Sequence, residues 1–221
     1  MAARQNGWRL TTHVAESAAE MEMFQHGRGP MFDWLARNER DMSDCGHGSP
    51  IEHLERCGLL GENLLAAHAN YLAPGDADRL ARAQTSVVHC PRSHAYFGHQ
   101  AFPGAALTAA GVNVCLGTDS LASVKKITGE PLELNLFAEM RTRSAAAPGL
   151  SPETIVRQAT LHGARALGRA GELGELTADA RADLIALPFA GKPADAAAAV
   201  VHHPGAVTAS LIDGRWAIAP A

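Results

Sequence analysis

Four side chains at three places in the chain have the types that metal-assisted hydrolysis uses: His13 and Glu16 in HVAE, His68 in LLAAHANYL and Asp119 in LGTDSLAS. A neutral imidazole and an ionised carboxylate can hold a divalent cation. A second imidazole can orient a water, and a second carboxyl can carry a proton to a leaving group. Each place follows an apolar run. Each residue alone has a structural alternative: a strand-end histidine bonded to a backbone carbonyl, or an aspartate capping the next turn. Their recurrence in chain order argues for one site.

The elements that would position them are legible as apolar runs: WRLTTH (8–13), NLLAAH (63–68), TSVVHC (85–90) and VNVCLGTD (112–119). None shows strict polar alternation, the pattern of strands covered on both faces. Helical patterns separate them at 14–26 and 30–38, at Pro50 to Gly58, Pro74 to Ala83 and Phe102 to Ala110. Strand alternating with helix implies a parallel sheet, and in a parallel α/β barrel the carboxyl ends of the strands form the active face. Glu16 then falls at the start of the helix after His13. Beyond the fourth strand, Pro131 to Arg143 is amphipathic. Ser151 and Pro152 open a helix expected to run to Leu167, with Gly168 as its stop. ADLIALPF, AVTASLI and RWAIA read as short strands, and Asp213-Gly214 as a hairpin turn. A boundary near Gly171 divides residues 1–170 from 171–221.

Composition limits the classes open to the chain. With 221 residues, 47% hydrophobic and 19% charged, it buries a core as one large domain or two small ones. A net charge of −4 offers no basic face to nucleic acid. No apolar run is long enough for a bilayer, and MAARQNGWRL lacks a signal-peptide core, so the expected compartment is the cytoplasm. Cys45, Cys57, Cys90 and Cys115 form no CxxC pair and read as reduced thiols. His94, beside Arg92, Tyr96 and Phe97 in HCPRSHAYFGH, is expected to line a substrate pocket, together with Ser120 next to Asp119.

The motifs THVAE (12–16), LLAAHANYL (64–72), VVHCPRS (87–93) and LGTDSLAS (116–123), with GELGELTADARADLIAL (171–187) and SLIDGRW (210–216), occur in the order of the amidohydrolase superfamily. The chain resembles its branch of cytosine and guanine deaminases, chlorohydrolases and nucleoside deaminases, including those acting on aminodeoxyfutalosine. The resemblance implies a partial TIM-type (β/α)8 barrel, strands five to eight with their helices, followed by part of a small β-sandwich. It implies that His13 and Asp119 bind a divalent metal, zinc or else iron or manganese. It implies that His68 orients the water, that Asp119 is also the general base, and that Glu16 protonates the ring nitrogen of a small heterocyclic substrate. The reaction would be hydrolysis of a C–N bond in a cyclic amidine with release of ammonia.

One family feature has no counterpart. The HxH ligand pair of the first barrel strand is absent from these 221 residues. The expectation is a truncated, inactive segment whose open half barrel favours aggregation or a homodimer. Chlorohydrolysis of an N-heterocycle and a non-catalytic half-barrel assembly module are the alternatives.

Overall fold

The computed structural model describes residues 2–126 and 132–220. After a single-turn helix α1 (Ala2–Gln5), the chain alternates strand and helix. Strand β1 is Leu10–Val14, followed by α2 (Ala18–His26), α3 (Pro30–Arg37) and α4 (Pro50–Arg56). Strand β2 is Leu64–His68, followed by α5 (Asp76–Arg82) and β3 (Ser86–His89). Helices α6 (Pro91–Phe97) and α7 (Gly104–Ala109) precede β4 (Val114–Leu116). Next come α8 (Leu136–Ala146), α9 (Pro152–Ala159), α10 (Leu161–Ala166), β5 (Leu184–Ala186), α11 (Ala196–Val201), β6 (Ala209–Ile212) and β7 (Arg215–Ile218). The α/β class expected from the alternation is the class found. The sheet order is β1-β2-β3-β4.

Two compact units divide the chain: Met1–His89 with Gly98–Val114, and Cys90–Phe97 with Cys115–Ala221. In the first, β1, β2 and β3 pair in parallel, with Leu10 opposite Leu64, Val14 opposite His68 and Ala66 opposite Val87. Burial alternates along β1 and β2, which departs from the expectation of strands covered on both faces. Val14, Leu64 and Ala66 belong to a core built with Ile51, Leu80 and Leu107 from the helices. Thr11 and His13, on the other pleat of β1, are exposed. The pleat of β1 that carries His13 is therefore the less covered one. Polar anchors lock the connections. Buried Asp76 accepts hydrogen bonds from Ser49 Oγ at 2.7 Å and from the Ala73 N–H at 2.8 Å.

The second unit packs Leu116, Met140, Ile155 and Val201 into its own core. Its antiparallel sheet has the order β5-β6-β7. Ile212 pairs with Arg215 across Asp213 (φ 50°) and Gly214 (φ 73°), the left-handed pair of a type I′ hairpin. Two expectations need correction, and one helix was not anticipated. The segment after Ser151 is two helices, not one, because Thr160 leaves helical geometry (φ −124°, ψ −90°) and its hydroxyl back-bonds to Val156 C=O. Residues 91–97 form a helix that the loop-like composition of HCPRSHAYFGH concealed; Pro91 at its start suits a first helical position. The helix expected from Pro131 begins at Leu136, with Asn135 as N-cap; Pro131 itself lies outside the described residues.

Candidate active site

Within the first unit the structure brings His13, Glu16 and His68 together. The register sets His13 opposite Ala67 and Val14 opposite His68. Pleat alternation would then send His68 to the same side as Leu64 and Ala66, away from His13. His68 instead has φ +75°, and Ala69 follows at +47°. This left-handed exit from β2 brings the two imidazole rings to 5.0 Å between centroids, tilted by 35°. Positive φ at a non-glycine residue is costly and marks a place where the surroundings impose the conformation. His68 is buried, and its Nε2 lies 3.6 Å from Glu16 Oε1.

Glu16 is not on a helix, contrary to expectation. Helix α2 begins at Ala18 with Ser17 as N-cap, so Glu16 sits in the turn between strand and helix. Glu20 fixes that turn. Its carboxylate accepts the Ala15 N–H and the Glu16 N–H, both at 2.7 Å, while Ser17 Oγ accepts the Glu20 N–H. Burial pushes the Glu20 carboxyl above its ordinary pKa, against the three backbone N–H bonds that lower it. Asn70, fully buried, donates from Nδ2 to Glu16 C=O at 3.1 Å. Sequence reasoning passed over Glu20, although Ser17-x-x-Glu20 is a capping-box pattern.

Within the second unit, Asp119 lies three residues beyond the end of β4, at φ +54°. Its Oδ2 accepts hydrogen bonds from Ser93 Oγ at 2.6 Å and Ser123 Oγ at 3.0 Å. Arg92, expected to face substrate, donates from Nη1 to Glu133 C=O at 2.9 Å, and its Nε lies 3.9 Å from Glu139 Oε1. Glu139 is fully buried and accepts the Arg92 N–H at 2.9 Å. Burial raises its carboxyl to about 7 against the lowering by Arg92, and Asp119 adds to the rise. His94 is half-buried; Tyr96 and Phe97 are exposed and pack edge to face at 5.0 Å. Ser120 is exposed, and its C=O accepts the Ser123 N–H. Cys90 and Cys115 are pushed up to about 12, chiefly by burial, and stay protonated thiols. Ser93, Ser123 and Glu139 were missed; the two serines close the quoted motifs VVHCPRS and LGTDSLAS, and nothing in their spacing marked them as donors.

The donors His13, His68 and Asp119 offer two imidazole nitrogens and a carboxylate oxygen. That chemistry suits zinc, iron or manganese. The residues fit a divalent metal by type.

A model of the amidohydrolase family matches residues 1–217, and the chain belongs to that family. It is 38% identical over 172 residues to the 5-methylthioadenosine/S-adenosylhomocysteine deaminase of Syntrophobacter fumaroxidans, spanning 73% of this chain and 38% of that one. It is 36% identical over 170 residues to the aminodeoxyfutalosine deaminase of Deinococcus radiodurans, spanning 73% of this chain and 39% of that one. A zinc-bound adenosine deaminase from Xanthomonas campestris superposes with a TM-score of 0.77 at 28% identity, covering 99% of this chain and 47% of its own. The zinc complex of atrazine chlorohydrolase TrzN from Arthrobacter aurescens shares the fold at 22% identity, with a TM-score of 0.75 over 98% of this chain and 45% of its own. The chain spans less than half the length of these relatives. The α/β reading as a partial barrel with C-terminal strands stands. Among the described residues, no helix is long and apolar enough to cross a membrane.

Proposed function

We propose that these residues are the second half of a metal-dependent deaminase that hydrolyses the amino group of an adenine-type nucleoside. The observation that carries the reading is the pairing of His68 Nε2 with Glu16 Oε1 beside His13, at the carboxyl end of adjacent parallel strands. Glu16 suits a substrate with a ring nitrogen to protonate, and an amino group, a poorer leaving group than chloride, gains most from proton transfer, so deamination is favoured. Two matching relatives are named as deaminases of 5-methylthioadenosine/S-adenosylhomocysteine and of aminodeoxyfutalosine, which supports an adenine nucleoside altered at its sugar.

On this reading His13 and Asp119 hold the metal, zinc by analogy with the neighbouring structures. When bound, it supplies a water that yields its proton near neutral pH. Asp119 accepts that proton, and His68 orients the water toward the amidine carbon. Glu16 delivers a proton to the ring nitrogen, and the amino group departs as ammonia once it has received the proton from Asp119. Arg92, His94, Tyr96, Phe97 and Ser120 border the substrate. Residues 1–170 form the barrel segment and 171–221 part of the small β domain. No HxH occurs here, so the remaining metal ligands must come from other residues than these 221, which alone turn over no substrate.

The test is a chimera in which residues 1–217 replace the matching stretch of the Syntrophobacter fumaroxidans deaminase. Ammonia release is followed with 5-methylthioadenosine, adenosine and a chlorotriazine. Nucleoside deamination that disappears with Glu16→Gln or Asp119→Asn is expected. A folded, zinc-loaded chimera that releases chloride but no ammonia contradicts the reading. Turnover by the 221 residues alone contradicts its last clause.

A further inference from the structure

Asp119 Oδ2 takes two hydroxyl donors from two different elements. Ser93 comes from the first turn of α6, and Ser123 from the 3-10 turn Leu121–Ser123. Both serines are buried, at 1% and 3% exposure, so neither hydroxyl exchanges readily with solvent. The Ser93 contact is short, at 2.6 Å, as charge-assisted O–H bonds to carboxylate are. Ser123 has a single hydrogen to share between Asp119 Oδ2 at 3.0 Å and Ser120 C=O at 3.1 Å. The Ser123 bond also closes a turn onto Asp119, whose backbone is already left-handed.

Ser93 is itself held from below. The N–H of Arg92, one residue earlier, donates to Glu139 Oε2 at 2.9 Å, and Glu139 is on α8 with no exposed surface. The Arg92 guanidinium donates to Glu133 C=O just before that helix. The first turn of α6 is thus tied to α8 through a main-chain bond of Arg92 and to the segment just before α8 through its side chain. That arrangement fixes where the Ser93 hydroxyl points.

We propose that Ser93 and Ser123 are positioning residues for Asp119: they hold Oδ2 and thereby turn Oδ1 toward the metal and the water's proton. The inference rests on the reading of Asp119 as metal ligand and base given above. A ligating carboxylate whose second oxygen is bonded keeps one orientation, and loss of such support costs metal affinity about 10- to 100-fold in known sites. Glu139 acts one step further out, through Arg92 and α6.

The experiment has two readouts on the 221-residue chain. The first uses no metal. With aspartate carboxyl carbons 13C-labelled, the resonance missing in Asp119→Asn identifies Asp119. In Ser93→Ala and in Ser123→Ala that resonance is expected to shift and broaden, while the other aspartate signals stay in place. Ser123→Thr, which keeps the hydroxyl, is expected to restore it. The second is zinc affinity by competition with a chromophoric chelator, expected to fall about 10-fold in each alanine variant and to recover in Ser123→Thr. An Asp119 resonance unmoved in both alanine variants overturns the proposal, and so does unchanged zinc affinity in them. A wild-type chain that binds no zinc sinks the metal reading of Asp119, and the carboxyl resonance still decides whether the serines hold it.

Discussion

The imidazole rings of His13 and His68 lie 5.0 Å apart although the β1–β2 register assigns them to opposite pleats. The positive φ of His68 is what reconciles the two facts. A residue that tolerates the left-handed region should keep the strand end intact, and a β-branched one should not. His68→Asn is expected to leave stability within about 1 kcal/mol of wild type, and His68→Val to cost about 1–2 kcal/mol more. Urea midpoints of the two variants check this; equal stability would mean that the backbone there carries no strain.

Glu20 shapes the turn that presents Glu16, through its bonds to the Ala15 and Glu16 amides. Glu20→Ala removes both acceptors at a part-buried place and is expected to destabilise the chain by about 1–2 kcal/mol. Amide exchange at Ala15 and Glu16 should accelerate while that of β2 holds. Protection unchanged at those two amides would contradict the role.

The carboxyl of Glu139 titrates near 7 in the folded chain against about 4.5 when unfolded, because burial penalises its charge. A raised carboxyl pKa means that the folded state holds the proton longer. Its contribution to stability is complete below about 4.5 and is lost as pH rises through 7. Wild type is expected to lose about 2–3 kcal/mol between pH 4.5 and 8 relative to Glu139→Gln, whose amide cannot ionise. Parallel stability–pH curves for the two chains would show that Glu139 ionises normally.

Cys57 is exposed, whereas Cys45, Cys90 and Cys115 are buried and have raised thiol pKa values. A thiol reagent at pH 8 is expected to label one cysteine of the native chain within minutes and all four after unfolding. Rapid labelling of Cys90 or Cys115 would contradict the packing around β4.

The strands and the chemistry of their ends were legible because apolar runs closed by His or Asp are a strong local signal. The residues were found without the geometry. Glu16 was placed on a helix that begins two residues later, since Ser17 takes the cap and Glu20 accepts the Ala15 and Glu16 amides from within the first turn. The two-helix break at Thr160 turns on one side-chain bond to the Val156 carbonyl, which periodicity does not register. Ser93 and Glu139 lie 46 positions apart and are linked through the backbone amide of Arg92 in α6. Contacts of that kind exist only once the chain is folded.

The central claim is that His13 and Asp119 are metal ligands. Zinc titration of the 221-residue chain against a chelator, with His13→Ala, Asp119→Ala and His202→Ala beside wild type, tests it most directly. One weakly bound zinc is expected, because the family's HxH pair is absent from these residues. Affinity should fall by at least 10-fold in His13→Ala and in Asp119→Ala and stay the same in His202→Ala. No saturable zinc in wild type, or zinc held equally well by the His13 and Asp119 variants, would contradict the account.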